Sequence, residues 1–252
     1  MTAIVSSSVF SMPRNSDKEN QDSVLLPTQV EDGFLMAIAD GVGGYKGGKE
    51  ASSTVISCLS KQKLKIQSSE IETLFKHFKK TVSELSIDDE SLDSAATTLT
   101  FCQIDNTELI VGHSGDCRVY IKNGQKLEQI TKDHTQHQLL IDNGIYTAKE
   151  LKHAKGKNII TTAISKTVDL DFQKIVIKIS DLPIDNGIFS LYIMSDGAHS
   201  FWEQRPRFSA NTLANSANFA SSLRRRIESK GPVDDYSLIA VNIKCPFPPQ
   251  ST

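Results

Sequence analysis

The chain has 252 residues and a mass of 27.8 kDa; 38% are hydrophobic and 23% charged, enough apolar material for one large globular core. That balance excludes a wholly disordered chain, a collagen and a long coiled coil. Lys and Arg number 28 against 30 Asp and Glu, a net charge of −2 without the basic excess of a phosphate-backbone binder, and no apolar run approaches the ~18 residues of a bilayer span.

In chain order, the first predicted element is a strand at Thr2–Phe10. No basic region precedes it, so no secretory signal is expected. Strands follow at Ser23–Leu26 and Phe34–Ala39, each rich in apolar residues and bounded by Asp, Asn or Gly. A helix is expected over Gly48–Leu64, through Ala51, Val55, Ile56 and Leu59. A stronger one spans Glu70–Leu85, where Ile71, Leu74, Phe75, Phe78, Val82 and Leu85 share one face. Strands at Thr97–Ile104, Leu109–His113 and Arg118–Ile121 are punctuated by the short turns Asp105-Asn106-Thr107 and Lys122-Asn123-Gly124-Gln125, which join antiparallel neighbours. Residues 134–157 are polar, with short helical fragments, and read as a surface excursion beside a site.

Strands at Phe172–Ile179 and Ile188–Met194 precede a helix at Asn211–Ile227 and a last strand at Tyr236–Ile243. The proline-rich end, 245–252, reads as a tail after a single domain of residues 1–244. Few helices among many antiparallel strands predict an α+β fold of two sheets covered by helices. The cysteines Cys58, Cys102, Cys117 and Cys245 form no C-x-x-C pair and read as ordinary thiols in a reducing cytoplasm.

The chemistry concentrates at strand ends. Phe34–Ala39 runs into Asp40-Gly41, and Leu191–Ser195 into Asp196-Gly197. Asp234-Asp235 stands directly before the last strand, and Asn20-Gln21-Asp22 before Ser23–Leu26. A single Asp-Gly pair is fully explained by turn formation. If the four strand-end carboxylate groups meet, they repel and raise one another's pKa unless cations lie between them. All-oxygen donors favour Mg²⁺ or Mn²⁺ over Zn²⁺. Gly43 to Lys49 fits G-x-x-x-x-G-K, but Glu50 follows where a P-loop needs Ser or Thr. No H-E-x-x-H and no G-x-S-x-G nucleophile elbow is present.

Taken together, these residues resemble the metal-dependent Ser/Thr protein phosphatases of the PPM, or 2C-like, type, bacterial in style. Asn20-Gln21-Asp22 is similar to the family's N-[EQ]-D, and Asp40-Gly41-Val42-Gly43-Gly44 with Gly48-Lys49-Glu50-Ala51-Ser52 to its D-G-x-G-G…G-x-x-A-S. Thr97-Thr98-Leu99, Gly115-Asp116-Cys117-Arg118, Asp133-His134, Asn158–Ala163, Ser195-Asp196-Gly197 and Asp234-Asp235-Tyr236-Ser237 resemble further family motifs in the family's order.

The resemblance implies a four-layer α-β-β-α sandwich with residues 134–157 as a flap, and a cytoplasmic phosphatase acting on phosphoserine and phosphothreonine proteins. It implies two Mn²⁺ or Mg²⁺ ions, with a water bridging them that attacks phosphorus in line. Asp40 would bridge the ions, the Gly41 carbonyl would join one, and Asp196 and Asp234 would hold the other. Asp22 would bind a metal or orient its waters, Asp235 would act on the attacking water, and Asp116 would serve a third, weaker ion.

Three positions depart from the pattern. Asp17 stands where an Arg usually binds substrate phosphate, leaving Arg14 or Lys18 to do so; Gln21 replaces a common Glu, and Ser200 a common Asp. The displaced Arg leaves a second reading open: a catalytically dead phosphatase-like domain that binds a phosphoprotein. Partners expected are a cognate kinase and its substrates, with no nucleic acid, no membrane and a monomeric state.

Overall fold

The structure is a computed structural model; residues 1–43, 46–151, 154–156 and 159–245 are described. In chain order the elements begin with β1 (Ala3–Met12), β2 (Ser23–Val30), β3 (Gly33–Ala39), α1 (Gly48–Ser60) and α2 (Ile71–Asp88). Next come β4 (Ala96–Thr97), β5 (Leu99–Ile104), β6 (Glu108–Ser114), β7 (Arg118–Asn123) and β8 (Lys126–Gln129). After α3 (Gln136–Asp142) and α4 (Ala148–Leu151) follow β9 (Ile164–Ser165), β10 (Gln173–Lys178) and β11 (Ile188–Met194). The chain closes with α5 (Asp196–Glu203), α6 (Ala210–Leu213), α7 (Ser216–Lys230) and β12 (Tyr236–Lys244).

Two five-stranded antiparallel sheets form, in the orders β1-β12-β11-β7-β8 and β10-β6-β5-β3-β2, beside a small β4-β9 pair. Period-2 alternation sorts each strand's residues between two cores. Met36 and Ile38 of β3 pack with Val111, Val119, Leu191 and Ile239 between the sheets, whereas Leu35 and Ala37 face α1 and α2 through Val55, Phe75 and Phe78. On the opposite side, Tyr120, Tyr192 and Leu238 meet Trp202, Phe219 and Leu223 of α5 and α7. Each such side chain, fully buried, stabilises the fold by ~1.5–3 kcal/mol of transfer free energy. The result is the expected α-β-β-α layering.

The structure departs from the sequence reading in places with local causes. Asp196-Gly197, read as a strand-ending turn, opens helix α5 directly; Phe201 and Trp202 of α5 are buried against α7 and sheet β1-β12-β11-β7-β8. The helix expected from Asn211 splits into α6 and α7, because Asn215 has extended backbone and its side chain accepts a hydrogen bond from Asn218 N, capping a new helix. The helix expected from Gly48 stops at Ser60. The strand expected over Thr97–Ile104 breaks at Thr98, whose amide turns to Asp40 O at 2.8 Å. Strands β8 and β9, four and two residues long, were too short to carry a pattern. Residues 246–252 of the expected tail lie outside the described residues, and Cys245 still donates its amide to Gly187 O at 3.1 Å.

Candidate active site

Antiparallel pairing is what brings the distant carboxylates together. Ser23 is registered with Ala39, so Asp22, entering β2, stands beside Asp40, leaving β3. Met194 is registered with Leu238, and Ser195 N donates to Ser237 O at 3.1 Å, so Asp196 stands beside Asp234 and Asp235. These two pairs occupy the same end of the two facing sheets. Asp116 lies in the link from β6 to β7, where the chain crosses from one sheet to the other. Asp40, Gly41, Asp116, Asp196, Asp234 and Asp235 line a single cleft of about 600 Å³ together with Arg14 and Lys18.

Two glycines permit this closeness. A Cβ at Gly197 would collide with Asp235 O, and one at Gly41 would stand 2.5 Å from Gly48 O and 2.9 Å from Gln21 O. No real side chain tolerates such approaches, so both strand ends come together only because hydrogen occupies these positions.

Two of the carboxylates, Asp22 and Asp235, are anchored through their own oxygens. Asp22 Oδ2 accepts from Ser195 Oγ at 2.9 Å and Ser237 Oγ at 2.6 Å, which ties the start of β2 to the opposite sheet. Asp235 Oδ1 accepts from Arg14 N and its Oδ2 from Gln21 N, both at 2.7 Å. Asp40 is fixed through its backbone: its amide donates to Thr98 Oγ1 at 3.1 Å, and Thr97 Oγ1 donates to its carbonyl at 2.9 Å. The Asp116 segment is held by imidazoles. His134 Nδ1 accepts from Gly115 N at 3.1 Å, and His199 Nε2 bonds Asp116 O at 3.1 Å. His113 stacks on His134 at 5.1 Å, and burial drives its pKa down to about 3, so it stays neutral.

The electrostatics show the cost of the assembly. Burial raises the Asp40 pKa well above the ordinary carboxylate value, and Asp22, Asp196, Asp116 and Asp234 add repulsion. Asp196 is raised well above it too, by burial and then by Asp116, Asp234 and Asp22. Asp116 is pushed up to about 7 by burial and the nearby Asp133, against the opposing pull of Arg118, and Asp22 to about 6, chiefly by burial. Asp22 Oδ1 is buried with no hydrogen-bond partner among the described residues. Mutually repelling, partly desolvated carboxylates with an unpaired oxygen are what a hard divalent cation would relieve.

Among the described residues, no group of three or more His, Cys, Asp or Glu side chains is already closed into a metal-binding cluster. Mg²⁺-like ions keep several waters and take only one or two carboxylates each, so an acid-lined cleft with room for water fits them better than a closed cage. The residues therefore fit divalent ions.

Every residue expected at the site lines the cleft except Asp22, which lies behind it, bonded to Ser195 and Ser237. Arg14 and Lys18 both reach the cleft, and Arg14 Nη1 donates to Val233 O at 3.1 Å. Asp17, at the customary Arg position, is exposed and is not among the lining residues. Lys49, the P-loop-like lysine, is bound to Asp22 O at 2.9 Å and Ser23 Oγ at 3.1 Å; Gly44 and Tyr45 of that motif, like Asn158, lie outside the described residues. Sequence reasoning missed Ser195 and Ser237 as anchors of Asp22, though both belong to motifs already singled out. It also missed the bidentate pair Arg118–Asp133, 2.6 Å at its shortest and nearly buried, which braces the link carrying Asp116.

The chain is similar to known proteins over most of its length. The family model for protein phosphatase 2C matches residues 12–240. The protein phosphatase PhpP of Streptococcus pneumoniae serotype 2 (strain D39) is 28% identical over 171 residues, covering 64% of this chain and 69% of that protein. A crystal structure of a bacterial serine phosphatase superposes with a TM-score of 0.78 at 18% identity, covering 97% of this chain and 100% of that one. The catalytic domain of the phosphatase PstP, in complex with two manganese ions, superposes with a TM-score of 0.75 at 22% identity, covering 96% and 99% of the two chains. The ordered motifs, the paired antiparallel sheets and the match over most of the sequence together make this chain a member of the protein phosphatase 2C family.

Proposed function

We propose that this chain is a metal-dependent phosphoprotein phosphatase that removes phosphate from serine and threonine side chains in the cytoplasm. The observation that carries this reading is one cleft in which Asp40, Asp116, Asp196 and Asp234 face the cations of Arg14 and Lys18. Asp40, with the Gly41 carbonyl, and Asp196 with Asp234 would hold two Mn²⁺ or Mg²⁺ ions; Asp116 would serve a third, weaker one. When bound, such ions lower the pKa of water and neutralise phosphoryl oxygens.

The chain's own groups do the rest. Asp22, clamped by Ser195 and Ser237, fixes the distance between the two sheet ends. Arg14, rather than an arginine at position 17, receives the substrate phosphate, with Lys18 as a second point charge. Asp235 orients Arg14 and Gln21 by their amides and turns its acid edge to the cleft where water attacks phosphorus in line. No serine or cysteine nucleophile is required. Among the described residues, no helix is long and apolar enough to cross a membrane. The expected partners are phosphoproteins and the kinase that modifies them. Residues 1–244 act as one catalytic domain.

The test is phosphate release from a phosphothreonine peptide. Turnover with Mn²⁺, lost in chelator and restored by added metal, is expected; equal turnover in the presence of chelator would sink the reading.

A further inference from the structure

From Gln204 to Lys230 the sequence holds Arg205, Arg207, Arg224, Arg225, Arg226 and Lys230 against one acid, Glu228, a net +5 within a chain of net −2. The structure gathers four of these cations, Arg205, Arg207, Arg226 and Lys230, at the turn after α5. Arg226 is the keystone: its guanidinium donates to Phe201 O, to Arg205 O at 2.7 Å and to Arg207 O at 3.2 Å. It also lies over the Phe208 ring at 4.2 Å and the Trp202 ring at 6.0 Å. The turn after α5 is thereby clamped to α7, with Arg205 and Arg207 exposed on it. Lys230 Nζ donates to Gln204 Oε1 at 2.7 Å, which brings the C-terminal end of α7 to the same turn. The nearby acids are engaged elsewhere: Glu228 with Arg224 at 2.7 Å, and Glu203 with Tyr120 Oη at 2.7 Å and Arg118 at 3.6 Å.

The patch adjoins the candidate active site by two routes. Arg205 lies nine residues beyond Asp196, which opens α5; at 1.5 Å per residue that is ~12–14 Å. Lys230 precedes Asp234 by four residues, at most ~14 Å of extended chain. Arg14, which lines the cleft, donates to Val233 O, three residues beyond Lys230. An extended peptide covers ~13 Å in about four residues.

We propose that this patch is a docking surface for acidic phosphopeptides, selecting substrates with Glu, Asp or further phosphorylated residues about four positions from the phosphate to be removed. The inference rests on the phosphatase reading above, and the peptide is favoured over other polyanions because the patch adjoins the cleft. Exposed charge pairs are individually weak, so two or three together give about a fivefold effect.

The test uses the full chain with Mn²⁺ and phosphothreonine peptides of equal length: one with neutral flanks, one with three Glu before the phosphoresidue and one with three after. On one side, kcat/KM rises about fivefold over the neutral peptide in ~0.05 M salt, and the advantage fades by ~0.5 M. In Arg205→Glu/Arg207→Glu the preference disappears while p-nitrophenyl phosphate turnover stays unchanged; Arg205→Ala/Arg207→Ala, with an unchanged melting temperature, loses most of it. Equal turnover of the three peptides, or a preference surviving both variants, overturns the proposal. So does Arg205- and Arg207-dependent binding to phosphatidylserine vesicles without peptide preference. If no phosphorylated compound is turned over at all, the phosphatase reading falls instead, and calorimetric affinities of the same peptides for the wild type and variants decide the patch by the same ratio.

Discussion

Asp235 grips Arg14 by its backbone: Asp235 Oδ1 accepts the Arg14 amide at 2.7 Å, leaving the guanidinium to reach toward Val233 and the cleft. Position 14 is therefore fixed by a residue 221 places away, and a shifted arginine can serve a site whose usual arginine position holds Asp17. Arg14→Ala is expected to raise KM for a phosphothreonine peptide about tenfold or more, the scale of one hydrogen bond to a charged group, with a smaller change in kcat. Asp17→Ala should leave KM unchanged. Steady-state kinetics on both variants checks this; a kcat loss with unaltered KM in Arg14→Ala would remove it from phosphate binding.

Removing a buried, repelled carboxylate should separate activity from stability. Asp40→Asn and Asp196→Ala are each expected to lower Mn²⁺-dependent turnover at least ~100-fold, because both metal charge balance and water activation fail together. The metal-free variants should melt no lower than the metal-free wild type, since each loses a charge that burial and its neighbours disfavour. A large drop in melting temperature would show these residues to be structural props instead.

The pH dependence follows from the raised carboxylates. Asp22 near 6 and Asp116 near 7 bind protons more tightly in the folded chain than the ordinary carboxylate value of 3.8 allows. Stability from these groups is thus present at low pH and lost as pH climbs from about 4 to 7 in metal-free protein. At the proposed metal sites divalent ions would have to displace those protons, so Mn²⁺ affinity should rise between about pH 5.5 and 7.5, with proton release on binding. Calorimetry in two buffers of different ionisation enthalpy reads that release; a pH-independent affinity without it would refute the assignment.

Much of this was legible in advance. Strand Ile188–Met194 coincides with its observed bounds, because an apolar run interrupted only by Ser190 between Gly187 and Ser195 leaves little choice. The acids at strand ends were equally visible. Their convergence was not, since spacing says nothing of register; it took the Ser23–Ala39 and Met194–Leu238 pairings to set them side by side. Helix α5 escaped notice because Asp-Gly is a common turn signal, and only burial of Phe201 and Trp202 overrides it. Ser195 and Ser237 were hidden because their partner Asp22 is 173 and 215 residues distant.

The Arg118–Asp133 pair should behave as a nearly buried ion pair does. With side chains only 13% and 11% exposed, Asp133→Ala leaves the Arg118 guanidinium to its longer 3.6 Å contact with Glu203, at an expected loss of ~3 kcal/mol. Arg118→Met/Asp133→Leu should recover most of it, because a matched apolar pair carries no unpaired charge. Denaturant midpoints of the two variants make the comparison; equal losses would mean that the bridge, not its desolvation, dominates.

The hydrogen-only positions 41 and 197 also limit how the cleft could be retuned. Any side chain there would wedge the strand ends apart, so directed-evolution libraries seeking a different cation should leave both untouched. The adjustable places are Gln21, against Gly48, and Ser200, one helical turn beyond Asp196, whose buried hydroxyl has no partner among the described residues. Each stands one chemical step from an added negative charge, Gln21→Glu and Ser200→Asp, and ion preference can drift there without unpicking the seam.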